Sequence, residues 1–387
     1  MRILWANHIF IDTDVYSTFP MQFIFSLRKR GHEVHLVVPS LTKRSQRSIE
    51  DTKLLPTIHL PVLSSLVFFF GLLFYIPKAV KSYRPNVIVG NFSEYPGLIV
   101  AKLFRNVKLV LDIRASIGGR KEGINALIEK IVYFTSLKLA TRISDGITVA
   151  SSALKEEICN YGIDRAKVKV ITNGVSLDLF DYRKNSLLSA KLRDEFKLSK
   201  NFIIMYHGSL GSFRGLTQTI EAIAIIKSKH PDIVFFILGQ ASKEYKEELK
   251  KLIEEKSLAD NVFIHEAVSH ELVPKFLAMC DIGIVPLAVF SFPFTSCPLK
   301  LIEYLAMAKP VISTDIPFSR EVIELCNCGI LIPSYEPEQI VAGIEYMYER
   351  RSSLEQMGRL GRAIVEKNYS WEEKSIDFES FVGELLQ

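Results

Sequence analysis

Short runs rich in β-branched residues alternate with helix-period segments, and the alternation occurs twice. In the first half the runs are RILWAN, EVHLVVP, NVIVGNF, KLVLDIRAS, GITVAS and KVKVITNG; in the second they are FIIMYHGS, DIVFFILG, NVFIHEA, DIGIVPL, PVISTD and GILIPS. Strands separated by helix-length segments pair in parallel through crossovers, so each half predicts a doubly wound α/β sheet. Helices are expected at about 17–30, 62–83, 95–105, 124–143 and 151–161. The polar stretch 181–201 lacks strand character and suits a connection between domains. The expected organisation is therefore a domain over 1–180, a linker over 181–201 and a second domain over 202–365. A C-terminal helix, 366–387, would return to the first domain, and a ligand cleft is expected between the two sheets. Gly358 and Gly361 read as breaks in the helical tail and Trp371 as a packing anchor.

Length agrees with this division, since 387 residues exceed what one core serves well. Charge is uneven. Residues 1–180 hold 24 Lys and Arg against 14 Asp and Glu, a net +10, whereas the remainder holds 24 against 29, a net −5. Such a basic half calls for an anionic partner, and with no nucleic-acid-binding motif in view an anionic membrane is favoured. Five cysteines, with Cys326 and Cys328 lacking the His or Cys pair of a zinc site, point to a reduced cytoplasmic setting. The N-terminus MRILWANHIF reads as a strand and not as a secretion leader.

Residues 62–76, VLSSLVFFFGLLFYI, carry no charge and lie between Pro61 and Pro77. Fifteen residues fall short of the ~20 that span a bilayer. A buried core helix is one reading. The other is in-plane docking at the inner face of the plasma membrane, with Phe68, Phe69, Phe70, Leu72, Leu73 and Phe74 inserting and Lys78, Lys81 and Arg84 meeting lipid phosphates.

The chemistry concentrates in FTSCPLKLIEYLAMAKPVISTD, residues 294–315. Pro298 suits a first helical turn capped by Ser296 or Cys297, leaving backbone N–H groups for an anion. Lys300 and Glu303, three apart, share a helix face, while Leu299, Ile302, Leu305 and Ala306 face the core. A lysine for a phosphate and a carboxylate for a diol suit a nucleoside diphosphate joined to a sugar. An ordinary solvated Lys–Glu pair has the same spacing. A second element, YHGSLGSFRGL (206–216), places Gly208 and Gly211 in a turn and Arg214 before a helix, where backbone amides and a guanidinium can meet a phosphate. Its spacing fits neither a P-loop nor a GxGxxG dinucleotide site.

Together these segments resemble the retaining GT-B glycosyltransferases, most closely glycosyltransferase family 4. SLRKRGHEVHLVVPS (26–40), KVKVITNGVSLDLF (169–180), YHGSLGSFRGL and PLKLIEYLAMAKPVISTD (298–315) follow the family's order, as does NYSWEEK (368–374). The resemblance implies two Rossmann-like domains and transfer of a sugar from a UDP-, GDP- or other nucleotide diphosphate sugar. It implies that Gly208, Arg214 and Lys300 contact the donor diphosphate and that Glu303 holds the ribose hydroxyls. Ser209, Pro298 and Leu299 would complete the donor site, with Gly239, Gln240, His265 and Glu266 near the base. The departing diphosphate would be neutralised by cations and helix amides, with no metal or other cofactor.

Several positions depart from the family pattern. Ser209 stands where an Arg usually follows the glycine, so Arg214 and Lys300 share the diphosphate charge. Thr295 stands eight before Glu303 in place of the first of two glutamates. FIDTDVYST (10–18) replaces a Gly-Gly loop, leaving the amides of Ser17 or Thr18 as substitutes. DIRAS (112–116) replaces the region of a catalytic histidine, and Asp112 or Arg114 is expected beside the reacting centre. Arg214, Lys300 and Asp112 are thus the expected catalytic set. Asp12-Thr13-Asp14 reads as a solvated loop more than a metal triplet. His8 reads as a cleft residue or a satisfied polar group, His32 as structural, and His207 as a neighbour of the donor.

The expected activity is sugar transfer with retention onto a saccharide or lipid-linked saccharide, as in bacterial surface polysaccharide synthesis. Attack from the face of the leaving diphosphate, which helps to remove the acceptor proton, accounts for retention without a protein nucleophile. Two rivals stay open. A nucleotide-sugar epimerase of related fold would isomerise its substrate with no acceptor. A non-catalytic donor-binding subunit would bind tightly and turn over nothing.

Overall fold

The computed structural model describes residues 1–10, 18–41, 51–58, 61–91, 95–104, 106–114, 137–288 and 295–387. Asp12, Thr13, Asp14, Ser17 and most of the helix expected at 124–143 lie outside the described residues. The chain forms two compact units, Met1–Asn173 together with Trp371–Gln387, and Gly174–Ser370.

The first unit is built on seven strands: β1 (Arg2–Ala6), β2 (Glu33–Ser40), β3 (Thr52–Pro56), β4 (Val87–Asn91), β5 (Lys108–Ile113), β6 (Gly146–Val149) and β7 (Val168–Val170). Their order is β3-β2-β1-β4-β5-β6-β7, and every pairing is parallel. Central strands of such a sheet are covered on both faces and become largely apolar, as the ILWA of β1 and the LVL of β5 are. The edge strand β3, TKLLP, is short and half polar, and its pattern does not stand out in the sequence. The C-terminal helix Trp371–Leu386 belongs to this unit, where Trp371, Phe23, Phe378 and Trp5 pack ring against ring at 5.5 to 5.7 Å. The segment expected as one helix at 95–105 is a single turn, Tyr95–Leu98, followed by a 3-10 stretch, Ile99–Leu103.

The second unit holds six parallel strands: β8 (Phe202–Ser209), β9 (Ile233–Gln240), β10 (Val262–His265), β11 (Ile282–Val285), β12 (Val311–Thr314) and β13 (Gly329–Ile332). Their order, β10-β9-β8-β11-β12-β13, reverses direction between β8 and β11. Open α/β sheets take ligands beyond the carboxyl ends of the strands at such a switch point. Residues 181–201, expected as a connection, instead form a helix, Tyr182–Glu195, capped by Asp181 and contained in this unit. Arg193 ties it to the sheet, donating to the Met279 carbonyl at 2.7 Å and pairing with Asp281 at 2.9 Å.

Gly358 and Gly361 do not break the tail. They lie within one helix, Leu354–Asn368, and face the helix Leu299–Ala306 so closely that a Cβ at Gly358 would stand 1.9 Å from the Ala308 carbonyl oxygen. Helix propensity alone disfavours glycine by about 1 kcal/mol, and close packing is the reason these two are accommodated, against the Ala308 backbone at Gly358 and against the Leu305 and Cys328 side chains at Gly361.

Candidate functional site

The helix Leu299–Ala306 starts just past the carboxyl edge of the second sheet, beside β8, and every residue from Lys300 to Ala306 is buried. Three bonds fix it. Tyr304 donates its hydroxyl to the Met205 carbonyl at 2.6 Å, with its ring over Gly283, where any Cβ would stand 2.4 Å away. Arg362 donates to the carbonyls of Ala306 and Phe180 at 2.7 and 2.6 Å. Pro298 is the N-cap itself and not a first-turn residue: its backbone is extended (ψ 114°), and its carbonyl accepts from Leu301 N–H at 3.2 Å. Leu299 is half-buried and lies outside the tightly packed set.

Lys300 and Glu303 are 9% and 8% exposed, which excludes an ordinary solvated pair. The Lys300 ammonium sits 3.5 Å from the centre of the Tyr206 ring and has no hydrogen-bond acceptor among the described residues. A ring face stabilises a cation only in part. Burial, reinforced by the charge of Arg214, therefore holds the Lys300 pKa well below its ordinary value, with Glu303 acting in the opposite sense. Beside it, Gly208 adopts φ +113°, and a Cβ built there would lie 3.6 Å from Lys300 Nζ. Gly208 belongs to the end of β8 and not to the turn that follows. A bare backbone and a dry ammonium at one point are what an anion needs.

Glu303 is bound on both oxygens. His207 Nε2 lies 2.7 Å from Oε2 and His270 Nε2 lies 3.0 Å from Oε1. Burial alone would raise the carboxyl pKa, but these two hydrogen bonds and the adjacent imidazoles hold it below the usual carboxylate range. Burial pushes His207 down, so the pair is an ionised Glu303 accepting from a neutral His207. That assignment puts the His207 proton on Nε2 and leaves Nδ1, buried and without a partner among the described residues, as an acceptor.

Arg214 closes the 3-10 turn Ser212–Arg214 after β8, with Nη2 3.4 Å from Ser209 Oγ. Gly215 follows at φ +67°, where a Cβ would come within 2.0 Å of the Pro286 carbonyl oxygen. The turn can pass there only as glycine. Gly239 touches the Gly208 carbonyl on the neighbouring strand, and Gln240 ends that strand with its side chain exposed and its carbonyl accepting from Leu210. His265 lies two strands from β8, about 10 Å across the sheet, stacked on Phe236 and packed against Phe276. Glu266 is exposed and bonded by Lys246. Thr295 is buried in the approach to the helix.

Residues of the first unit are placed differently. Asp112 accepts from Thr148 at 2.6 Å on one oxygen and from Arg114 at 2.8 Å on the other, and Arg114 also donates to the Ile171 carbonyl. His8 is hydrogen-bonded to Ser64 at 3.0 Å, and His32 contacts the N-terminal amine and Glu379. His270 had no signal in the sequence, because it sits in no motif and reaches Glu303 only through the fold. No group of His, Cys, Asp or Glu among the described residues has metal-binding geometry. A cavity of about 590 Å³ opens at the opposite edge of the second sheet, near Phe202, Asp232 and Pro310, where Arg193 and Arg359 are already paired to Asp281 and Glu355.

Residues 18–179 match the family model for glycosyltransferase family 4, and residues 189–364 match that for glycosyl transferases group 1. The chain belongs to these glycosyltransferases. It is 24% identical to α-D-kanosaminyltransferase of Streptomyces kanamyceticus over 47% of this chain and 45% of that one. It is 23% identical to the capsular polysaccharide biosynthesis glycosyltransferase CapM of Staphylococcus aureus over 92% of each. The chain spans about half the length of several curated relatives that it matches, 45% to 58% of each. Anabaena HepE, solved with UDP, superposes with a TM-score of 0.77 at 16% identity over 99% of this chain and 100% of that one. This likeness establishes the GT-B fold for the glycosyltransferase chain.

Proposed function

We propose that this glycosyltransferase moves a sugar from a nucleotide diphosphate sugar to a saccharide or lipid-linked saccharide, with retention, in cytoplasmic synthesis of a surface polysaccharide. The observation that carries the reading is Lys300: a buried ammonium with no acceptor among the described residues, beside Gly208 and within the field of Arg214. A diphosphate supplies the missing acceptor, and its charge grows as the sugar leaves, so the same groups act most strongly at the transition state. Glu303, ionised and oriented by His207, accepts from the ribose hydroxyls at the oxygen now held by His270. Gly239, Gln240 and His265 flank the base. Neutralisation by Arg214 and Lys300 makes the reaction independent of a metal. CapM supports the polysaccharide setting by its name, and the UDP bound to HepE makes UDP the first donor base to try.

The test is a thermal-shift series with UDP, GDP, ADP and their sugars, since a ligand stabilises in proportion to its preference for the folded state. One nucleotide is expected to raise the melting temperature, and the rise is expected to vanish in Lys300→Met. No response to any of them would end the proposal. With an acceptor in hand, activity is expected to survive EDTA, and the product is expected to keep the donor's anomeric configuration by NMR.

A further inference from the structure

The helix Pro61–Tyr83 is apolar on both sides, and only one side has a use inside the fold. Phe68, Leu72, Ile76 and Ala79 are buried in the core of the first unit with Leu4, Val37 and Ile88. The sequence reading that placed Phe68 and Leu72 on a docking face is corrected by this packing. On the opposite side Leu66, Val67, Phe70 and Phe74 are 47%, 36%, 54% and 74% exposed. At 100° per residue these four fall within one stripe, and Lys78 and Lys81, both exposed, continue it toward the C-terminus. From residue 52 to residue 93 the chain has no Asp or Glu, while Lys53, Lys78, Lys81 and Arg84 supply only positive charge.

We propose that this open face docks the protein on an anionic lipid bilayer, with Phe70, Phe74 and Leu66 entering the interface and Lys78 and Lys81 meeting lipid phosphates. The helix passes the length and composition test for a membrane span from Ser64 to Tyr83. Crossing the bilayer would strip Phe68, Leu72 and Ile76 from the core, whereas lying in the interface plane uses only the side that is already open. A second copy of the chain fits less well. Self-pairing about a two-fold axis would gather the lysines of both copies with no acid in 52–93 to neutralise them. Phosphate headgroups match the charge, and aromatic rings beside lysine stems suit the boundary between headgroups and acyl chains. The inference is independent of the sugar-transfer reading, because the residues belong to the other unit.

Flotation of the full chain with phosphatidylcholine vesicles, and with vesicles also containing phosphatidylglycerol, tests the proposal. Binding is expected to the anionic vesicles only, to weaken with salt, and to fall at least about tenfold in Phe70→Ser/Phe74→Ser and in Lys78→Glu/Lys81→Glu. The nucleotide thermal shift, measured on the same samples, is expected to stay unchanged. Phe74→Trp gives a direct readout, since its emission should move to the blue on anionic vesicles. Absence of wild-type binding at low salt, variants that float like wild type, or a wild-type dimer that the serine variant dissolves without vesicle binding would overturn it.

Discussion

Each sheet carries two opposite charges near the carboxyl ends of its strands, Asp112 with the half-buried Arg114 in the first and Glu303 with Lys300 in the second, and the two sets are finished in different ways. In the first unit Arg114 donates to one Asp112 oxygen and Thr148 to the other, and Arg114 also reaches the Ile171 carbonyl. In the second, Glu303 is bound by two imidazoles, while the described residues offer Lys300 a ring face and no acceptor. Burial of charge is common to both. Among the described residues the second set leaves a buried cation without an acceptor, and a buried ion short of partners is costly until something arrives to complete it.

The largest effect should come from removing the open charge. Lys300→Met is expected to cut transfer by about two to three orders of magnitude, yet to raise the melting temperature of the ligand-free protein, since an uncompensated buried ammonium is replaced by an apolar chain of similar length. A fall in that melting temperature would mean that Lys300 is satisfied in solution, and the contrast between the two pairs would fail. The closed pair should behave in the opposite way. Asp112→Asn is expected to lower stability by about 2 kcal/mol, because it weakens a charge-assisted bond and leaves the half-buried Arg114 beside a neutral group, while the nucleotide thermal shift persists; chemical denaturation measures the first and nucleotide titration the second.

Gly215→Ala sharpens the comparison from the backbone side. It forces a Cβ against the Pro286 carbonyl and is expected to cost about 1–3 kcal/mol and to weaken nucleotide binding through Arg214. The pH dependence should be smaller. His207 has a folded pKa below 6.5, so the unfolded chain binds its proton first as pH falls. Stability due to this group is therefore complete above about pH 6.5 and declines below it, by at most about 1.4 kcal/mol per pH unit, until the folded pKa is reached. Glu303, also depressed, adds a second decline below its ordinary pKa of 4.5. Urea melts across this range should show a flatter profile in His207→Gln. The smallest change is expected from His270→Asn: ribose hydroxyls can take over the freed oxygen, so KM for the donor should move a few-fold and kcat little.

Much of this was legible in the sequence. The twelve strand runs stand out by their β-branched and apolar residues, most clearly in central strands such as β8 and β9, whereas β3, an edge strand with a mixed pattern, does not. Lys300, Glu303, Gly208 and Arg214 could be picked out because phosphate chemistry restricts residue type. The pairing of His207 with Glu303 across 96 positions, and of His270 with the same carboxylate, depends on where the end of β8 and the 3-10 turn at His270 meet the helix Leu299–Ala306 after folding, and no spacing rule encodes it. The glycines at 358 and 361 were open to misreading for a related reason. Glycine in a helix looks like a stop until the neighbour that needs the room is known.

That neighbour gives the helix Leu354–Asn368 a distant duty. With Gly358 set against Ala308 and Arg362 bonded to the Ala306 carbonyl, it forms the floor on which the lysine-bearing helix rests. A shortened protein ending after β13 would keep all thirteen strands and lose its grip on the donor.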